Sequence, residues 1–125
     1  METGDTATVV KFFPMVEAAF ENLAPADRDI DARFHISLLR SRIGHFPAGL
    51  AQADTIATAA PTHLFVYYLK AIIADFQHDT TVAKRARQDF RAHFSAEVAT
   101  NRREYQAHRQ MLDQFLKSIP ADAKP

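Results

Sequence analysis

An all-α fold is predicted for this sequence, and three observations carry the prediction. Glycine is scarce, with only Gly4, Gly44 and Gly49, and no Asn-Gly or Asp-Gly pair marks a hairpin turn. Apolar residues recur at spacings of three and four, the period of a helix, with no stretch of clean alternation. A third sign is a blurred repeat. The stretch bounded by Gly44 and Pro61 starts again at His78, with Gly44 moving to His78, Gly49 to Ala83 and Ile56 to Phe90. That offset, about 34 residues, is the length of a helix-turn-helix solenoid unit.

Helix one is expected from about Thr6 to Leu23, with Asp5 or Thr6 as N-cap. Its apolar set is Val9, Phe12, Phe13, Val16, Ala19, Phe20 and Leu23, interrupted by Pro14, which predicts a kink or a late start. Ala24-Pro25 ends it. Helix two is expected over Asp29–Ile43, with Ile30, Phe34, Leu38 and Leu39 inward and Gly44 closing its C-terminus. Helix three is expected over Pro47–Ala60, with Pro47 in the permitted first turn and Leu50, Ala53, Ile56, Ala57 and Ala60 inward. Helix four, Thr62–Gln77 with Thr62 as cap, is apolar nearly all round, which predicts a central helix buried on more than one side. Helix five starts at an Asp79-Thr80 cap with a stripe of Ala83, Ala86, Phe90, Phe94 and Val98. Thr100-Asn101 is a break point, after which Tyr105, Leu112, Phe115, Leu116 and Ile119 resume the pattern until Pro120. One long helix and two helices bent near Asn101 both fit.

The chain has 125 residues, a single domain's worth, and 47% of them are apolar, including ten Phe, which is enough for a core. Lys+Arg and Asp+Glu are 15 each, a formal net charge of zero, which argues against nucleic acid as a partner. The same balance gives weak protection against self-association. With no cysteine, disulfides, thiolate metal sites and Cys nucleophiles are excluded. The start, METGDTA, has no signal-peptide pattern. The longest apolar run, Leu64–Leu69, stops at Lys70, far short of the roughly 20 residues a bilayer needs. A soluble domain, cytoplasmic by default, is the expectation.

Few residues suggest chemistry. His63, His78, His93 and His108 are spaced 15 apart, about 22 Å along a helix, so neighbours on one helix cannot share an ion. There is no HExxH, and no Glu-x-x-His pair of the di-iron type. Glu104 and His108, four apart, read as a surface pair or a satisfied interface histidine, with a metal-binding bundle as the remote alternative. No Gly-rich phosphate loop, GxSxG or P-loop is present. Asp27, Asp29 and Asp31 read as acidic residues complementing the start of helix two. The basic last third (Lys84, Arg85, Arg87, Arg91, Arg102, Arg103 and Arg109) reads as an exposed helix back balanced by Asp89, Glu97 and Glu104. The expectation is a non-catalytic protein with no cofactor and no metal.

The segment from Ile30 to His63 resembles a tetratricopeptide repeat unit. Ser37 matches the small residue of the first helix, Gly44 the turn glycine, Phe46 the aromatic after it, Gly49 the small crossing residue and Pro61 the terminal proline. From Leu64 onward Tyr67, Ala71, Asp79 and Ala83 fit a second unit, while His78 replaces the turn Gly and Ser95 the Pro. In the first unit Arg33 stands in place of an aromatic and Ile56 in place of a small residue. Gly4-Asp5 looks like a third turn, which would make the chain an excised part of a longer protein. The resemblance implies a right-handed superhelix of antiparallel helix pairs, about five helices with a long or kinked C-terminal one. The units would be a partial one at about 4–25, then 30–63 and 64–95, a capping segment 96–119 and a frayed tail 120–125.

In that family the first helix of each unit lines a concave binding face. By position, that face here holds Asp31, Phe34, Leu38 and Arg42 from helix two, and Phe65, Tyr68, Ile72 and Asp75 from helix four. It is mostly aromatic and aliphatic, which disfavours a carboxylate clamp. The implied function is a protein–protein interaction or assembly module that takes a peptide or an amphipathic helix from a protein partner. The C-terminal segment Tyr105–Ile119 could instead fill the groove as a cap, and the alternative function is a homo-oligomer formed through the C-terminal helix.

Overall fold

A computed structural model describes residues 3–24 and 28–120, residues 3–10 as backbone only. Among the described residues there are seven helices and no strand: α1 (Thr3–Glu21), α2 (Ile30–Arg42), α3 (Phe46–Ala59), α4 (Leu64–Phe76), α5 (Thr80–Val98), α6 (Arg103–Ala107) and α7 (Arg109–Ser118). From α1 to α5 successive helices pack on one another, and α2 also touches α4.

Helix ends follow local chemistry. The Asp29 carboxylate accepts from the Ala32 N–H at 2.8 Å and starts α2, and Asp79 does the same for α5 through the Val82 N–H at 3.1 Å. Two helix ends share one hydrogen-bond pattern. After α2, the Gly44 N–H bonds the Ser41 carbonyl and the His45 N–H bonds the Arg40 carbonyl. After α4, the His78 N–H bonds the Asp75 carbonyl and the Asp79 N–H bonds the Ala74 carbonyl. This is the Schellman closure, written twice, with every partner displaced by the same interval that separates His78 from Gly44. Gly44 (φ 84) and His78 (φ 58) both take the left-handed conformation it requires.

Small residues let the hairpins close. Gly49 of α3 lies against α2, where the Ser37 hydroxyl donates to its carbonyl at 2.8 Å. Ala71 and Ala83 stand at that same interval beyond Ser37 and Gly49, and both are buried between α4 and α5. The core runs through α4, whose Leu64, Phe65, Val66, Leu69, Ala71, Ile73 and Ala74 are all buried, as its apolar circumference predicts.

The structure corrects several expectations. The helix count is seven rather than about five. The C-terminal segment breaks twice: α5 stops at Val98, Asn101 turns left-handed (φ 57), and a second interruption at His108 divides α6 from α7. Helix one begins at Thr3, so Gly4-Asp5 lies inside α1 and forms no turn, and Pro14 sits within the helix instead of delaying it. Of its apolar set with described side chains, only Phe13 and Phe20 are buried, while Phe12, Val16, Ala19 and Leu23 are exposed, because α1 packs mainly on α2. The helix ends at Glu21, before the expected stop, and Pro25 and Asp27 lie outside the described residues, as does the tail from 121. His63, not Thr62, caps α4: its ring nitrogen Nδ1 accepts from the Phe65 N–H at 3.1 Å, while the Thr62 hydroxyl is drawn to Glu97.

Candidate functional site

The residues singled out on α2 and α4 do come together. The Phe34 and Phe65 rings stack with centroids 4.1 Å apart, and Tyr68 lies 5.7 Å from Phe34. Leu38 and Ile72 flank them, half-buried against the main core. Asp31 and Asp75 sit at the edges, Asp75 held by Arg87 at 2.7 Å, and Arg42 is exposed.

This face is covered by the chain's own C-terminus. α6 and α7 lay Tyr105, Leu112, Phe115 and Ile119 into the same core, all four buried. Phe115 packs on Tyr68 and on Phe90, each at 4.8 Å between centroids. Tyr105 and His108 meet the Phe65 edge at 5.9 and 5.7 Å. Phe34 and Phe65 are therefore buried, at 1% and 0% exposed. The cap is pinned at its far end by Arg91, which donates to the carbonyls of Ile119 (2.8 Å) and Pro120 (3.0 Å), just past the end of α7.

A polar hub around the buried His63 and Tyr105 fixes the cap at its near end. The Tyr105 hydroxyl donates to the Glu97 carboxylate at 2.6 Å and accepts from the Leu64 N–H at 2.9 Å. Thr62 donates to the other Glu97 oxygen at 2.6 Å. Because His63 Nδ1 accepts the Phe65 N–H, its proton is on Nε2, which donates to Glu104 at 2.8 Å. Both ring nitrogens are thus committed, and this fully buried histidine has no lone pair left for a substrate. Burial lowers the His63 pKa below its ordinary value, against the raising effect of Glu104. For Glu97 and Glu104 burial pushes upward but is outweighed, by the Thr62 and Tyr105 hydroxyls in one case and His63 in the other, so both carboxyls sit below the usual range. Burial and the Glu97 contact raise Tyr105.

Of the two readings of Glu104 and His108, the mutual pair is not formed, and His108 instead meets α2. The break at His108 sends the two side chains apart, Glu104 to His63 and His108 to Asp31 at 2.8 Å. The evenly spaced histidines are likewise scattered: His63 is buried, His78 turns the α4–α5 corner and His93 stacks on Tyr67 at 5.4 Å. A different trio does assemble. Asp31 and His35, one turn apart on α2, meet His108, with their ligand atoms all within 4.8 Å of one another. The Asp31–His35 spacing was visible in the sequence, but His108 is 77 residues beyond Asp31 and no local signal joins them.

Compared with protein-family models, curated proteins and solved structures, the chain matches none of them. Among the described residues no helix is long and apolar enough to cross a membrane.

Proposed function

We propose that this chain is a tetratricopeptide-like interaction module whose α2/α4 face receives an amphipathic helix, with its own α6–α7 as the resident occupant. The observation that carries the reading is the cap itself. The groove built around Phe34, Phe65 and Tyr68 already holds a short amphipathic helix, by apolar side chains from one stripe and polar fasteners at both ends. A partner helix with the same anchors, two aliphatics and an aromatic at helical spacing, fits where α7 lies. The reading is non-catalytic: the face presents aromatic and aliphatic groups, and its one buried histidine is fully hydrogen-bonded.

The test uses a labelled peptide of residues 103–119 added to the full chain. Leu112→Ala should loosen the resident helix, since a buried Leu→Ala change costs about 2–5 kcal/mol. The loosened chain should bind the peptide, the unaltered chain should bind it far less, and Tyr68→Ala added to Leu112→Ala should abolish binding. A helical Leu112→Ala protein that ignores the peptide would sink the proposal.

Self-association is the second reading, favoured by one observation. The cap hangs on a single short connection, 99–102, with Asn101 at its bend. Straightening that connection would pass the same contacts to a second copy.

A further inference from the structure

The geometry points to a surface site for a zinc-class divalent ion, formed by Asp31, His35 and His108, that latches the C-terminal cap to α2. Zinc takes imidazole nitrogen and carboxylate oxygen at about 2.0–2.2 Å, so tetrahedral neighbours stand about 3.3 Å apart. Here the Asp31 Oδ1 is 2.8 Å from His108 Nε2 and 3.4 Å from His35 Nε2, on either side of that spacing. The remaining edge, between the two histidines, is no longer than 4.8 Å. The His35 side chain is half-exposed, so a small rotation of its ring toward Asp31 and His108 closes the triangle.

The three ligands come from two elements. Asp31 and His35 are at i and i+4, one face of α2. His108 comes from the interruption between α6 and α7, a break with no Gly or Pro at 106–110 to cause it. Phe34 packs edge-on against both imidazoles, at 5.6 and 5.7 Å, and limits their tilt. The adjoining cleft of about 400 Å³ sets Asp29 and Glu104 against Arg102 and Arg103, so the cluster is not in a cationic surround. An ion would take the place of the His108–Asp31 hydrogen bond, each imidazole offering Nε2 as ligand with its proton on Nδ1. The His35 and Asp31 side chains are both accessible to solvent, so water can complete the coordination. Three protein ligands plus one water is the arrangement of an open zinc site, and imidazole with carboxylate suits cobalt, nickel and copper as well.

The experiment is titration of the untagged full chain with Zn²⁺ by calorimetry, and with Co²⁺ by visible absorption. One ion per chain is expected, with tetrahedral Co²⁺ bands, and slower hydrogen exchange in α6–α7 when Zn²⁺ is bound. His35→Gln and His108→Gln should each weaken binding at least about tenfold, the low end of what an outer-shell change alone costs. His35 is exposed, so His35→Gln keeps the test valid if His108→Gln disturbs the cap. No binding by the unaltered chain, or equal binding by His35→Gln, overturns the proposal.

Discussion

A methyl group added at Gly49 would meet the Ser41 Oγ at 2.8 Å and the Ser37 carbonyl at 3.2 Å. The Ser41 hydroxyl cannot retreat without leaving its own bond to that carbonyl, also 2.8 Å. Helix propensity alone would favour Ala here by about 1 kcal/mol. Overpacking in a closed contact costs about 1–3 kcal/mol, so Gly49→Ala should destabilise by about 1 kcal/mol in urea denaturation. His78→Gly should do the reverse. Its left-handed backbone costs a side chain roughly 1–2 kcal/mol, only part of which glycine returns as unfolded-chain entropy. A gain of about 0.5 kcal/mol is expected, and a loss would mean that the His78 ring makes contacts worth more than the strain. Gly44, Gly49 and Asp79 were legible in the sequence because each does a local job that few residue types can do. The fastening role of His63 was not, because its partner Glu104 is 41 residues away.

At the scale of elements, the hub at Thr62, His63, Glu97, Glu104 and Tyr105 joins α6 to the start of α4 and the end of α5. Its titration sets the order in which this junction weakens in acid. The His63 pKa is lowered from 6.5 in the fold, so as pH falls the unfolded chain takes up the proton first. Its contribution is complete above pH 6.5 and lost as pH drops through the lowered folded value. Glu97 and Glu104 are lowered from 4.5, so theirs is complete above pH 4.5 and lost below it. Urea midpoints measured against pH should therefore show a first decline starting near 6.5 and a second below 4.5. His63→Asn, which retains a side-chain acceptor for the α4 terminus, should flatten the first limb and leave the second. A first limb of unchanged size in His63→Asn would show that other histidines cause it. The elements themselves were readable where apolar periodicity ran long: α2, α3, α4 and α5 lie close to their expected bounds. α1 was misread because a run of apolar positions does not say how many neighbours exist to cover them. The break at His108 has no sequence signature: no Gly or Pro lies at 106–110, and the His108 partner Asp31 is 77 residues away.

For the whole molecule, α6–α7 complete a core that α2–α5 leave open. A chain ending at Asn101 would bare Phe34, Phe65 and Phe90, and an aromatic patch of that kind invites association. Light scattering should find the full chain monomeric and the shortened chain self-associated. A dimeric full chain with a soluble monomeric truncation would reverse this, making the C-terminal segment an interface between copies. The apolar stripe after Asn101 was evident in the sequence, but whether it would cover the groove could not be read there. That choice depends on where the turn at 99–102 aims it, which is three-dimensional information.

The order of the elements along the chain also sets a schedule. Phe65 leaves the ribosome well ahead of Phe115. At about 5–20 residues per second, the delay between them is roughly 3–10 s in every synthesis. For those seconds the nascent chain shows its aromatic groove with nothing of its own to fill it. A chaperone or an assembly partner that meets the chain then competes with no resident helix; one that arrives later has to displace it.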